Sequence, residues 1–242
     1  MESLTKIYKL LLPRFKLQGW WPVTKESRLI PEYHQSHDLT EKQKLEICFG
    51  AILTQNTNWK NVEKAIVELN KNNLIDVKKI IKIPNEKLAQ IIKSSGYHNQ
   101  KAKKLKNFCN FLSRNYDGNL DLLFKNNIKK LRAELLSING IGPETADSIM
   151  LYAAKKPIFV VDAYTKRVFN RIGFKEKTYD EFQKLFMENL PNSERLFNEY
   201  HALIVELGKN ICKKNPLCRE CPINKYCDYY RNIFKQKNLK TN

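Results

Sequence analysis

Four cysteines near the end of the chain carry its most specific chemical signal. Cys212, Cys218, Cys221 and Cys227 are spaced C-x5-C-x2-C-x5-C within sixteen residues. Four thiolates in one compact loop can hold a tetrahedral Zn²⁺ or a 4Fe–4S cluster. A zinc ribbon usually pairs two C-x2-C knuckles on hairpins. A single knuckle with lone cysteines on either side favours the cluster and leaves zinc as the alternative. Lys213, Lys214, Arg219 and Lys225 surround the loop, so a metal there would also fix a basic surface for phosphate contact. Cys48 and Cys109 fall in apolar helical patterns and read as inert core residues.

A second constellation lies upstream. Ile138-Asn139-Gly140-Ile141-Gly142-Pro143-Glu144-Thr145-Ala146 places two glycines around one apolar residue, then a proline at the opening of a helical run that reaches Ala154. Glycine accepts positive φ and proline suits the first helical turn, so the stretch predicts a tight hairpin feeding a helix N-terminus. With the pattern Ile128, Leu131, Leu135 before it, residues 128–154 read as a helix-hairpin-helix. Unpaired N–H groups and the positive dipole end make such a terminus a phosphate cradle, although a Gly-x-Gly turn can simply join two helices. Pro157-Ile158-Phe159-Val160-Val161 then runs extended and apolar into Asp162, with a helix following from Ala163 to Arg171. A carboxylate there could stabilise positive charge on a deoxyribose and activate water. It could equally cap the helix, and the two roles are compatible.

Periodicity predicts the elements that must hold these groups. Helices are expected over 5–18, 45–53, 59–69, 75–82, 85–94, 100–115, 128–138, 145–154 and 163–171. Two more follow, one opened by a Thr178/Glu181 capping box and running to Leu190, and one through Leu196, Tyr200, Leu203 and Leu207 that stops at Gly208. His201, on the last of these, reads as a packing or hydrogen-bonding residue. No strand pairing is evident, and the fold class is all-α. Thr54-Gln55-Asn56-Thr57-Asn58 separates two buried helices and should face outward, where Gln and Asn can read or replace base edges; helix capping by Asn58 or Thr57 is the simpler role. Lys101, Lys103, Lys104 and Lys106 give the 100–115 helix a basic face, solvated by default. Trp20 and Trp21 cannot both face one core from a single helix, so at least one should meet a surface, an interface or a ligand. Residues 23–40 read as a polar loop with Tyr33 and solvated His34 and His37, and residues 230–242 as a frayed basic tail.

The 242 residues carry 43 Lys and Arg against 25 Asp and Glu, a net +18 that points to a polyanionic partner, most often nucleic acid. A lysine-rich proteome would give the same imbalance. The opening residues lack a sustained apolar signal core, and no window is long enough to span a membrane. These features point to an intracellular, cytoplasmic protein.

The hairpin, the stretch Val160-Val161-Asp162-Ala163-Tyr164-Thr165-Lys166-Arg167-Val168, the loop Leu53-Thr54-Gln55-Asn56-Thr57 and the terminal cysteines together resemble the endonuclease III superfamily of DNA glycosylases. The resemblance implies a six-helix barrel over 41–155 and a second helical domain from 1–40 and 156–242, with an iron–sulfur loop at 212–227. A damaged base of double-stranded DNA would be flipped between the two domains, by a protein that acts as a chromosome-associated monomer. It further implies a catalytic Asp162, a Gln55 that fills the gap left in the base stack, and backbone contacts from Asn56, Gly140, Ile141, Gly142 and Glu144. Two departures stand out. Glu144 occupies the position of the lysine that forms a Schiff base in bifunctional members, and a carboxylate cannot be that nucleophile. The first cysteine gap is also one residue shorter than usual. Trp20-Trp21-Pro22, Trp59, Glu144 and Gly96-Tyr97-His98-Asn99-Gln100-Lys101-Ala102-Lys103 look like the 3-methyladenine glycosylase branch. That branch sandwiches the alkylated base between rings at the positions of Trp21 and Trp59, with Pro22 alongside. A cationic N3-alkylated adenine would gain roughly 0.5–2 kcal/mol from an indole face. The expectation is a glycosylase without lyase activity for alkylated purines. Its rivals are a glycosylase for oxidised pyrimidines, mismatched uracil or thymine, or 8-oxoguanine, and a non-catalytic binder of damaged DNA.

Overall fold

The computed structural model describes residues 2–34 and 38–232. The helices are α1 (Glu2–Phe15), α2 (Glu41–Leu53), α3 (Trp59–Lys71), α4 (Val77–Lys82), α5 (Asn85–Ile91), α6 (His98–Tyr116), α7 (Leu120–Phe124), α8 (Ile128–Ser137), α9 (Pro143–Ser148), α10 (Ala163–Ile172), α11 (Tyr179–Asn189) and α12 (Glu194–Asn210). The expected all-α class holds. One small addition is an antiparallel ribbon, β1 (Val23–Thr24) against β2 (Pro31–Glu32), inside the segment read as loop. The short α7, capped by Asn119, carries too few residues for a periodic signal and was not expected.

Two compact units divide the chain. One is Gly19–Lys156, and the other joins Met1–Gln18 to Pro157–Asn242. Residues 19–34 thus group with the helices that follow them, whereas the sequence reading placed everything before 41 with α1. The cause is a buried polar knot. Glu46 of α2 accepts from the Thr24 N–H at 2.7 Å and from Asn70 Nδ2 at 3.0 Å, and that same Nδ2 reaches the Thr24 hydroxyl at 3.0 Å. Burial pushes the Glu46 carboxyl up, against the pull of Asn70 and Thr24. Gly19, at φ +67, closes the segment because a Cβ there would meet the His34 carbonyl at 2.7 Å. His34 is accordingly half-buried rather than solvated; His37 lies outside the described residues.

In the Gly19–Lys156 unit, α2 and α6 form the centre, with Phe49, Ile52, Leu105, Phe108 and Leu112 fully buried. In the other unit, α10 packs on α12 around an aromatic cluster of Phe159, Phe169, Phe186 and Tyr200, in which Phe159 and Phe186 stack at 3.8 Å between centroids. Gly208 does not stop α12, which continues to Asn210. Its missing side chain instead lets Tyr164 of α10 approach, since a Cβ would lie 2.6 Å from the tyrosine ring. Residues 228–232 are helical, and the rest of the tail, 233–242, lies outside the described residues.

Candidate active site and DNA-binding elements

The hairpin forms as expected. Ile141 N–H donates to the Ile138 carbonyl at 3.0 Å, Gly140 takes φ +96, and Pro143 opens α9 behind the N-cap Gly142. The two glycines differ in purpose. A Cβ on Gly140 would strike Lys104 Cγ at 2.5 Å, whereas one on Gly142 would meet nothing within 4 Å. The exposed face of the hairpin is therefore Gly142, Pro143 and Glu144. Behind it, Arg132 of α8 grips the fully buried Asp147 of α9 with Nε–Oδ1 at 2.8 Å and Nη2–Oδ2 at 3.2 Å, which fixes the two helices. After Ser148 the helix widens into a π turn over Ile149–Ala153.

The polar loop is capped by Asn58, whose side chain accepts from the Asn61 N–H at 3.1 Å. Gln55 does not project freely. Its Nε2 donates to the Gly140 carbonyl at 3.0 Å and the Thr145 hydroxyl at 2.9 Å, while Lys104 Nζ donates to its Oε1. Asn56, exposed and at φ +54, forms the tip instead. The basic face expected on α6 is largely used inside the protein. Lys101 is 2% exposed and donates to the carbonyls of Leu53 at 2.7 Å and Ser95 at 2.6 Å, closing the C-terminal end of α2. Burial and then the nearby Lys104 depress its ammonium to about 8. Lys106 binds the Ile81 and Ile83 carbonyls, and Lys103 alone of the four is exposed.

The aromatic residues converge within the Gly19–Lys156 unit. Trp21 is 5% exposed and meets Trp20, Trp59 and Tyr152 edge to face, with centroids 5.6, 5.5 and 5.2 Å away. Trp21 and Trp59 stand edge to face at 87°, in contact with each other. The buried Trp59 Nε1 has no hydrogen-bond partner among the described residues. Pro22 is buried beside them. Sequence reasoning missed two members of the group. Tyr152, fully buried in the π turn, packs on both Trp20 and Trp21. Gly50 lies under the Trp21 indole, where a Cβ would come within 3.0 Å of Nε1. A glycine in mid-helix is a local cost, and that was the available signal.

Asp162 is the N-cap of α10. Its Oδ1 accepts from the Thr165 N–H at 2.7 Å and the Thr165 hydroxyl at 2.9 Å. The buried run Ile158–Val161 and the Gln183 Nε2 bond to the Phe159 carbonyl, at 2.7 Å, anchor the approach to it. At the far end of α10, Arg167 donates to the carbonyls of Cys212 and Gly208, and Arg171 to those of Lys213 and Lys214. Arg171 Nη1 also lies 3.3 Å from Cys212 Sγ, and its ring neighbour is Tyr229.

Cys212, Cys218, Cys221 and Cys227 are free, half-buried thiols; Cys218 opens one 3₁₀ turn, Cys221 and Cys227 close the two turns, and Cys212, Cys218 and Cys227 lie close enough to act electrostatically on Cys221. Burial pushes the Cys221 thiol up to about 12. Among the described residues no group of three or more His, Cys, Asp or Glu closes around a single-ion position. Cys48 and Cys109 are fully buried with raised thiols, as inert core residues should be.

A hairpin, an N-cap aspartate and a four-cysteine loop on an all-helical frame define a class of DNA repair proteins. Residues 49–192 match the HhH-GPD superfamily base excision DNA repair protein family. The chain belongs to that superfamily. It is 46% identical over 230 residues to a Methanocaldococcus jannaschii protein provisionally named a DNA repair glycosylase, covering 93% of this chain and 96% of that one. It is 30% identical to endonuclease III of Thermotoga maritima over 84% of this chain and 90% of the relative. Among solved structures, Helicobacter pylori 3-methyladenine DNA glycosylase bound to 1,N6-ethenoadenine superimposes with a TM-score of 0.68 at 28% identity, over 86% of this chain and 96% of that one. A trapped endonuclease III–DNA covalent intermediate gives 0.74 at 21% identity, over 96% and 98%, which is a likeness of fold. The protein is a DNA glycosylase of base excision repair.

Proposed function

We propose that this glycosylase is monofunctional and removes alkylated purines such as 3-methyladenine from double-stranded DNA. The observation that carries the reading is the aromatic group of Trp20, Trp21, Trp59 and Tyr152 with its unpartnered indole N–H. The likeness to the Helicobacter pylori enzyme supports it. An electron-rich indole attracts a cationic base, and Trp59 Nε1 offers a donor to a ring nitrogen. Access between Trp21 and Trp59 requires Trp59 to turn out of its edge-to-face contact, with Pro22 as the rigid wall.

The chemistry is hydrolysis. The C1′–N9 bond breaks and its electron pair goes to the purine, whose methyl-induced positive charge is thereby neutralised, so no proton donor is needed. Water oxygen bonds C1′ and its proton passes to the Asp162 carboxylate. Glu144 is exposed at the position where a lyase would present an amine. Lys101 is buried with Nζ committed to two carbonyls, so it does not replace that amine. Asn56, Gly142 and Glu144 are exposed for contact with DNA, and Gly140 and the buried Ile141 would contribute through the backbone. Gln55 joins them as the tie between loop and hairpin, and its gap-filling role requires release from that tie.

The cysteine loop fits a 4Fe–4S cluster. Three of the thiols lie near enough to act on the fourth, Cys221, and a guanidinium stands against Cys212 Sγ to offset the charge of thiolates. When bound, the cluster supplies a rigid anionic centre around which the basic loop is ordered. A brown sample absorbing near roughly 400 nm is expected.

The test is a panel of lesion-containing duplexes incubated with purified protein and analysed with and without alkali. Release of 3-methyladenine, with strand breaks only after alkali, is the expected result. Breaks without alkali overturn the monofunctional reading, and preference for an oxidised or mismatched base overturns the substrate. Asp162→Asn should abolish excision and keep DNA binding, and full activity in that variant would sink the mechanism.

A further inference from the structure

Asp162 divides its two carboxylate oxygens between different partners. Oδ1 is taken by the N–H and hydroxyl of Thr165, which satisfies the capping role. Oδ2 faces Nε2 of His201 at 3.6 Å, an ion-pair distance, with the two side chains only 12% and 6% exposed. We propose that His201 is a positioning residue that holds Oδ2 of Asp162 in the orientation needed for hydrolysis. This rests on the proposed catalytic role of Asp162.

Three observations support it. First, His201 lies on a stretch of α12 whose neighbours Tyr200, Ala202, Leu203 and Ile204 are all buried. Packing alone would be met by an apolar side chain there, without burying an imidazole. Second, the separation of the pair is set by a rigid helix crossing. Gly208 admits Tyr164 at close range, and Arg167 of α10 donates to the Gly208 carbonyl at 2.8 Å. Third, the electrostatics agree. Burial by itself would raise the Asp162 carboxyl, and the nearby His201, with the two Thr165 donors, outweighs it and holds the group below its ordinary value. The groups acting on Asp162 are thus His201 from α12 and Thr165 from its own helix. A carboxylate kept ionised in a dry setting can accept the water proton and face a developing oxocarbenium charge.

His201→Leu and His201→Gln, made in the full-length protein, test this beside Asp162→Asn. Single-turnover excision, affinity for lesion duplex, thermal midpoint and the pH–rate profile are measured for each. His201→Leu should slow excision on the order of 10²-fold at unchanged DNA affinity, and its acid limb should move to higher pH. His201→Gln, which keeps a donor, should recover most of the rate. Wild-type excision in His201→Leu with an unmoved acid limb overturns the proposal. So does a His201→Gln variant as slow as His201→Leu, or a loss of rate that merely tracks lost stability and binding. If Asp162→Asn is itself fully active, the functional reading has failed; if it is dead while His201→Leu is not, only the pairing has.

Discussion

Gln55 Nε2 and the Thr145 hydroxyl are 2.9 Å apart, joined across 90 residues of sequence. That bond, with the one to the Gly140 carbonyl, makes the polar loop and the hairpin a single piece. Gln55→Ala would leave the Gly140 carbonyl and Lys104 ammonium without these partners. A loss of about 1–3 kcal/mol in unfolding free energy is expected, with weakened binding to undamaged as well as damaged duplex. Denaturant titration and a binding isotherm check both, and unchanged values for both would refute the tie.

The two hairpin glycines should separate stability from binding. Gly140→Ala places a Cβ on Lys104 at a φ of +96 and should cost about 1–3 kcal/mol. Gly142→Ala has open space and a φ of −96, so its thermal midpoint should stay near wild type while DNA affinity falls. Equal destabilisation by both would contradict the assignment.

Lys101 predicts a pH signature. Its ammonium is depressed from 10.5 to about 8. Between those values the unfolded chain holds a proton that the folded chain has released, so stability from this group rises with pH across that window. Lys101→Met removes that rise and strands the Leu53 and Ser95 carbonyls. The gap in unfolding free energy between wild type and variant should therefore be larger at about pH 10 than at about pH 7. Chemical denaturation at the two pH values decides it.

Gly50→Ala isolates the aromatic group. Alanine in mid-helix is ordinarily favoured by roughly 0.5–1 kcal/mol, but here its Cβ would press the Trp21 indole. Stability should change little while affinity for a lesion duplex drops relative to undamaged DNA. An unaltered ratio of the two affinities would remove Trp21 from base recognition.

Helix positions, the hairpin and the capping boxes were legible because each depends on residues near one another in sequence. Asn58, Thr178 and Gly140 behave as their types demand. What could not be read depends on partners far along the chain. Lys101 and Lys103 look alike in sequence, yet one is buried against two carbonyls and the other is in solvent. Gly208 has the signature of a helix stop and serves as a crossing point, because Tyr164 arrives from another helix. His201 and Tyr152 gave only burial signals, since an apolar stripe does not say which of its members touches a functional group.

The internal use of cations has a consequence for how the protein meets DNA. Lys101, Lys104, Lys106, Arg132, Arg167 and Arg171 are all bonded to the protein's own oxygens. Their charge adds to the far field that draws a polyanion in, but the N–H groups so bonded do not reach out to phosphates. The slope of binding against salt concentration, which counts released counterions, should thus be much shallower than a net +18 suggests.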